Sequence, residues 1–276
     1  MKKFIAIALA VLTAVMVLAL AGCGDKKNTE MTDLEYIKDK GTLVIGITNF
    51  DPMNYKEAGN DKWVGFDTEL AEAVCKKLGV TPEFKIITWD YKDSELKTKS
   101  IDCVWNGMTI TDAVKEFGDV TGAYMTNYQV IVVKDAAKYN SIESLKGQIV
   151  VAEGGSAGEA AAKADATLAE NFKPVEAQQD ALLQVKSGQA AACVIDYVMA
   201  ASMLREGKSY ADLAMIEDVK LGDDEFYGIA CRTDSDLVAA INTAMTELYA
   251  DGTVKTIADK YLLTNSLVAE FKPSEN

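Results

Sequence analysis

A polar stretch from Asn106 to Thr111 has the residue types best suited to binding a small molecule. It follows the apolar strand pattern at 101–105 and leads into a helix that starts at Thr111. A strand end facing a helix N-terminus presents hydroxyl groups and free backbone N–H groups. A second apolar strand, 129–133, comes after a loose segment that looks like a crossing into another lobe. The sequence therefore predicts a ligand cleft at a lobe boundary, where such sites are common.

The charge and the missing residue types exclude several functions. The chain has no histidine and a formal net charge of −14. A Ser-His-Asp triad, a histidine general base and a histidine-ligated zinc site are thereby excluded. So acidic a chain is a poor ligand for nucleic acid or anionic lipid. No cofactor, metal or nucleic-acid partner is expected.

The N-terminus predicts export. Lys2 and Lys3 precede an apolar run from Phe4 to Leu20, as in a secretory signal peptide. The run is nearly long enough to span a bilayer, so a transmembrane anchor is the alternative. The ending Leu-Ala-Gly-Cys resembles a bacterial lipobox, in which the cysteine is acylated and becomes the first residue. We predict a lipoprotein signal peptide over 1–22, a lipid anchor to a bacterial cell membrane on Cys23, and a polar tether over 23–31.

The remaining cysteines have wide spacings. An even number of them in an exported chain permits disulfides, but each lies in an apolar helix or strand pattern. This placement favours buried free thiols. The residues concerned are Cys75, Cys103, Cys193 and Cys231.

Strand and helix patterns alternate along most of the chain. A β-branched strand at 42–47 is followed by a helix whose apolar face begins at Phe66 and which stops at Gly79. Later, a strand at 148–152 precedes a helix pattern, and a strand at 191–195 precedes another. This alternation predicts α/β layers with mostly parallel sheets.

Several short strings in one order carry a family resemblance. They are Gly65 to Leu70, Ile101 to Thr111, Gly155-Ser156, Val194 to Asp196 and Tyr227 to Ala230. Together they resemble the bacterial extracellular solute-binding proteins of family 3, the polar amino-acid type that feeds ABC importers. The resemblance runs from about Thr32 to Leu262.

The resemblance implies a two-lobed, type II periplasmic-binding-protein-like α/β fold with two hinge strands. The first lobe would be discontinuous, 33–126 plus 228–270, and the second would be 129–224. The hinges would lie near 126–129 and 225–228. Such a protein captures a small amino acid or related amine by lobe closure, acts as a monomer and delivers its solute to an ABC transporter permease.

The resemblance also implies ligand-binding residues. Asp196 would accept the ligand's ammonium group, although a helix N-cap is an ordinary role for such a residue. Gly155 and Ser156 would offer N–H and hydroxyl groups to a carboxylate, or would simply cap a helix. Phe50 and Trp89 would sandwich the ligand's side chain, and Gly107 and Thr109 would meet its ammonium group.

One position departs from the family pattern. Val114 stands where the family usually has an arginine that binds the ligand's α-carboxylate through two parallel hydrogen bonds. Lys115 is adjacent, but one step along a helix turns a side chain about a quarter circle away. Glu153 falls where the family places a side-chain pocket residue. The cleft is therefore expected to bind either an amine or cationic solute, or an amino acid whose carboxylate is held by Ser156, the helix start at Thr111 and Lys115.

Two other functions remain open on this fold. A few members of this fold are dehydratases of small carboxylic acids, and Glu153 is the candidate general acid that such an enzyme would need. An adhesin or a sensor subunit would reuse the fold with a separate partner. The export signal and the transport-type strings favour a binding protein that is not an enzyme.

Overall fold

The computed structural model of the chain describes residues 31–274. The predicted signal peptide, Cys23 and all but the last residue of the predicted tether lie outside the described residues. Within 31–274, no helix is both long enough and apolar enough to cross a lipid bilayer.

Helices and strands alternate along most of this segment, as the sequence predicts. The helices are α1 (Asp33–Lys40), α2 (Phe66–Leu78), α3 (Lys92–Lys97), α4 (Asp112–Phe117), α5 (Ala157–Ala164), α6 (Ala166–Ala169), α7 (Gln178–Ser187), α8 (Tyr197–Met203), α9 (Leu237–Ala250) and α10 (Thr253–Tyr261). The strands are β1 (Thr42–Ile47), β2 (Tyr55–Lys56), β3 (Trp63–Val64), β4 (Thr81–Ile86), β5 (Cys103–Thr109), β6 (Gly118–Val120), β7 (Met125–Val133), β8 (Val150–Glu153), β9 (Phe172–Val175), β10 (Ala192–Asp196), β11 (Ala214–Met215) and β12 (Leu221–Arg232). Short 3₁₀ helices lie at Trp89–Tyr91, Glu143–Leu145 and Thr264–Ser266.

The main sheet contains two parallel sets of strands. Its order is β4-β1-β5-β12-β7-β10-β8-β9. Strand β1 pairs in parallel with β4 and β5, and β8 pairs in parallel with β9 and β10. Between the two sets, β12 and β7 run antiparallel to each other and to their outer neighbours.

The strands β7 and β12 connect the two parallel sets. Residues from Tyr227 to Cys231 of β12 pair with β5, whereas residues from Leu221 to Tyr227 pair with β7. Two long strands that join two α/β halves are what a two-lobed type II fold requires. The predicted fold class is confirmed, and the residue boundaries of the two lobes remain predictions.

Two segments read as irregular from the sequence are regular strands. The supposedly loose segment 125–128 is the first part of β7, where Met125 pairs with Tyr227. The polar segment starting at Asn106 is mostly strand, because β5 continues to Thr109 opposite Tyr227 of β12. Both errors have one cause: pairing with a distant strand satisfies the backbone of a segment whose own composition resembles a loop.

The core forms on both faces of the sheet. In α2 the predicted apolar face is buried at Phe66, Leu70 and Val74. The helix ends at Gly79, whose φ of 76° lies in the left-handed region that glycine adopts without strain. The four cysteines within the described segment are unpaired and buried, as their apolar surroundings indicate.

Candidate functional site

A cleft of about 580 Å³ lies between the two halves of the sheet. The residues predicted to bind a ligand all line it: Phe50, Trp89, Gly107, Thr109, Glu153, Gly155, Ser156 and Asp196. The fold therefore brings them together, and their roles in binding remain predictions.

Strand β5 forms one wall of the cleft. The backbone N–H of Gly107 donates to Oδ2 of Asp67 at 2.6 Å, and Gly107 has a φ of 56°. A Cβ atom on Gly107 would lie 2.8 Å from the ring of Phe50. Glycine is thus required here both by the left-handed backbone and by the close approach of the aromatic ring.

Asp196 ends β10 with its carboxylate held by side-chain amides. Oδ1 accepts hydrogen bonds from Gln129 Nε2 at 2.7 Å and from Asn127 Nδ2, and Oδ2 accepts one from Gln178 Nε2. The side chain makes no capping hydrogen bond to α8. Burial, and then the nearby Glu225, raise the pKa of Asp196 to about 7. Asp196 thus occupies the N-cap position of α8, but its side chain does not cap the helix.

Thr109 is connected to Asp196 through Glu225. Its hydroxyl donates to Oε2 of Glu225 at 3.1 Å. The same oxygen accepts from Asn127 Nδ2 at 3.0 Å and from Gln129 Nε2 at 2.9 Å. The two amides thus link both carboxylates, and a ligand nitrogen near Thr109 would lie at the edge of this network.

Glu153 ends β8 with one buried carboxylate oxygen, Oε1, unpaired. The residue is 3% exposed, and among the described residues its Oε1 atom has no hydrogen-bond partner. Burial, followed by the charge of Asp196, raises the pKa of Glu153 well above its usual value, against the opposing effect of Lys92. An unpaired buried acceptor is unfavourable unless something else supplies a donor.

Lys92 was not predicted, and it reaches across the cleft. Its Nζ atom donates to the carbonyl of Gly155 at 2.9 Å and to that of Trp89 at 3.2 Å. Nζ also lies 5.0 Å from the centroid of the Trp89 ring, within range of a cation–π contact. Burial lowers the pKa of Lys92, and nearby carboxylates, Glu153 first, oppose that effect. The face of the Trp89 ring that was expected to contact a ligand is thus already in contact with the ammonium group of Lys92.

Gly155 and Ser156 form the N-terminal end of α5. The Ser156 hydroxyl accepts from the Glu159 N–H at 3.1 Å, while the Gly155 N–H donates to Oε2 of Glu159 at 2.6 Å. Ser156 and Glu159 thus act as a reciprocal helix cap. The capping role of Ser156 is present, and contact with a ligand would be additional to it.

A family model shows what kind of protein has this cleft. The model of the bacterial extracellular solute-binding proteins, family 3, matches residues 43–264. The chain belongs to that family. The recognition made from the sequence strings is thereby confirmed, together with the general function of binding a solute outside the cell.

Known family 3 proteins and related structures cover nearly the whole chain. The arginine-binding extracellular protein ArtP of Bacillus subtilis is 30% identical over 95% of this chain and 98% of its own. A substrate-binding protein of an ABC uptake transporter from Streptococcus pneumoniae, solved with bound histidine, has a TM-score of 0.77 and 28% identity over 84% of this chain and 97% of its own. The ancestral amino acid-binding protein AncCDT-1, a precursor of cyclohexadienyl dehydratase, has a TM-score of 0.73 and 32% identity over 83% and 98%.

The arginine position of family 3 is apolar in this cleft. Val114 lines the cleft and is buried, with its N–H donating to Thr111 Oγ1 at 3.2 Å. Lys115 is exposed, is not among the residues that line the cleft, and lies 3.8 Å from Asp112. The suggestion that Lys115 takes the place of the arginine is therefore wrong, because the helix directs it to solvent.

Sequence reasoning missed several polar residues of this site. Lys92 is the first residue of α3, where no local signal marks it as inward-facing, and Gln178 is the first residue of α7. Glu225 was assigned to a hinge and not to the site. Its position on β12, opposite Asn127 of β7, is what brings it to Asp196. A prediction that β12 pairs with β7 across the hinge could have placed Glu225 near Asp196.

Proposed function

We propose that this protein captures a small solute with a positively charged amine and encloses it between its two lobes. The observation that carries the proposal is a pair of carboxylates buried in one cleft: Asp196 is 4% exposed and Glu153 is 3% exposed. A buried acceptor without a partner costs about 1–3 kcal/mol. An ammonium group would supply the donor that Glu153 Oε1 lacks and would offset one of the two negative charges.

The charges along the cleft support a cation. Carboxylates outnumber ammonium groups among the lining residues, and the lysines already have partners. Lys163 lies 2.7 Å from Glu159, and Lys92 binds backbone carbonyls. The lining acids are Asp90, Asp93, Glu153, Glu159 and Asp196, and the lining lysines are Lys92 and Lys163.

Contacts between the predicted lobes support enclosure. Lys92 joins the first lobe to Gly155 of the second. On another side, Asp51 accepts from Ser202 Oγ at 2.8 Å and from Lys208 Nζ at 3.3 Å. These bonds require the lobes to be close together, so they favour the closed form in which a solute is shielded from water.

The proposed partners follow from this function. The closed form would deliver its solute to the permease of an ABC importer, since its shape differs from that of the open form. The protein would act as a monomer, attached to the bacterial membrane by the lipid on Cys23. Its acidic charge makes adhesion to anionic lipid headgroups unfavourable, so the lipid would provide the attachment.

An amino acid is the second candidate for the ligand. The relatives favour it, since ArtP is an arginine-binding protein and the Streptococcus pneumoniae protein was solved with bound histidine. Thr111, at the start of α4, lines the cleft and offers a helix N-terminus to a carboxylate. In that arrangement Ser156 and Thr111 would replace the missing arginine.

We propose that the protein binds its solute without changing it chemically. The resemblance to a precursor of a dehydratase makes Glu153 the residue to test for general acid catalysis. If the purified protein is incubated with its solute, mass spectrometry should recover the solute unchanged. A changed product would make the protein an enzyme.

A calorimetric panel tests the ligand class. Arginine, lysine and histidine would be compared with their decarboxylated amines. We expect at least one amine to bind with micromolar affinity or better, and Glu153→Gln to weaken it about tenfold or more because a charged acceptor is lost. Glu116→Gln, an exposed change on α4 outside the cleft, should leave affinity unchanged. Strong binding of amino acids alone would refute the amine proposal.

A further inference from the structure

The cleft has a charged floor and a mouth that is apolar in part. Asp196 and Glu153 lie at the floor, where both are almost inaccessible to solvent. The exposed lining residues define the mouth, and they are Asp90, Ala113, Ala160 and Lys163; the half-buried Phe117 adjoins its apolar part. A solute that binds its ammonium group at the floor would therefore direct its other end between α4 and α5.

Between its floor and its mouth, the walls of the cleft are formed by apolar side chains from both predicted lobes. Met108, Val114 and Phe117 form the wall on the side of β5 and α4, and Val114 and Met108 pack in one apolar cluster with Trp89. The opposite wall, on α5, is formed by Ala157 and Ala160. Small side chains facing larger apolar ones leave space for a ligand group without offering it a polar partner.

Two of the charged residues near the mouth, Lys163 and Glu159, are paired with each other. Lys163 forms an ion pair with Glu159 at 2.7 Å, and Glu159 also accepts the Gly155 N–H at 2.6 Å. An arginine at position 114 would have offered a guanidinium to a carboxylate. Val114 offers only methyl groups, so this part of the cleft favours an apolar ligand group over an anionic one.

We propose that the solute is an amphipathic primary amine, with its ammonium group at Asp196 and Glu153 and an alkyl or aryl group along Val114, Phe117 and Ala160. This inference rests on the proposed function, because it assumes that an amine binds at the floor. It adds that the apolar end of the solute contributes to affinity, and that Val114 and Ala160 determine specificity.

Affinity for straight-chain amines should then depend on chain length. Each methylene group buried against the wall favours binding about fourfold. Calorimetry on the full-length protein would use ethylamine, butylamine, hexylamine and phenethylamine. We expect the dissociation constant to fall about fourfold per added methylene until the chain reaches the mouth, and phenethylamine to bind more tightly than ethylamine.

Two exposed alanines of α5 provide a matched pair of variants. Ala160→Phe places a ring at the mouth, whereas Ala164→Phe places one on the same helix outside the cleft. Ala160→Phe should weaken hexylamine at least tenfold and leave ethylamine within about twofold. Ala164→Phe should change neither. Both positions are exposed, so neither variant is expected to disturb folding.

Val114→Arg tests the same wall by replacing an apolar side chain with a charged one. It should weaken hexylamine and strengthen an amino acid such as norleucine at least tenfold, since a guanidinium can bind the α-carboxylate. If ethylamine binds as tightly as hexylamine and Ala160→Phe changes neither, the apolar subsite is refuted while the amine proposal stands. If no amine in the series binds, both proposals fail.

Discussion

Asp67 and Asp196 are both buried carboxyl groups, yet they occupy different places. Burial raises the pKa of each to about 7. Asp67 accepts from Gly107 N–H at 2.6 Å and from Tyr124 Oη at 3.0 Å, and it is not among the residues that line the cleft. Asp196 lines the cleft. A raised pKa therefore reports burial in both cases, and only access to the cleft makes Asp196 a candidate binding group.

The largest expected effect comes from removing the carboxylate that faces the cleft. Asp196→Ala should weaken binding of the amine found in the panel about 100-fold or more, because a desolvated charged contact contributes roughly 2–5 kcal/mol. Titration calorimetry measures the change. An affinity within threefold of the original protein would show that the amine binds elsewhere.

Asp67→Ala is the corresponding substitution at the buried carboxyl group that does not line the cleft. It leaves the N–H of Gly107 and the hydroxyl of Tyr124 without their acceptor, so the free energy of unfolding should fall by about 2–4 kcal/mol. Chemical denaturation measures it. If Asp67→Ala instead kept full stability, the contrast between a structural and a binding carboxyl group would be lost.

The pH dependence of stability should show the same two residues contributing alike in the ligand-free protein. A carboxyl group whose folded pKa is about 7 binds a proton in the folded protein at a pH where the unfolded chain is ionised. Its contribution to stability is complete below about pH 4 and is lost as the pH rises through 7. The ligand-free protein should thus gain about 2–3 kcal/mol per carboxyl group between pH 8 and pH 5.

A bound cation should reduce the pH dependence of stability only where that dependence comes from carboxylates that line the cleft. An ammonium group beside Asp196 and Glu153 would hold both ionised, whereas Asp67 keeps its shift. Denaturation curves from pH 5 to 8, with and without saturating amine, should therefore differ in slope. Identical slopes would mean that the bound amine does not approach these carboxylates.

The smallest expected effect concerns the contact that joins the predicted lobes at Asp51. Asp51→Asn removes the ion pair with Lys208 and should weaken solute binding by about two- to fivefold, the range of a partly exposed pair. Lys77→Met breaks a pair with Glu247 inside the first lobe and is the control. Equal effects of the two variants would show that the Asp51 contact does not favour closure.

The sequence indicated more of the site than of the strands that support it. The order of short strings placed Gly155, Asp196 and Thr109 in one cleft, since each string ends a strand or begins a helix. The same reasoning missed Lys92 and Glu225. Their chemistry depends on neighbours far away in the chain, and no local pattern shows which polar side chain turns inward.

The amino-acid sequence by itself determined the family, the α/β class, the acidic charge, the absence of histidine and the valine at position 114. These depend on residue identity and order. Only the tertiary structure decided that Glu153 has an unpaired oxygen, that Asp196 is held by three amides and that Lys92 crosses the cleft. Burial, hydrogen bonding and pKa depend on which distant groups the fold brings within a few ångströms, and this information is not local to any stretch of the chain.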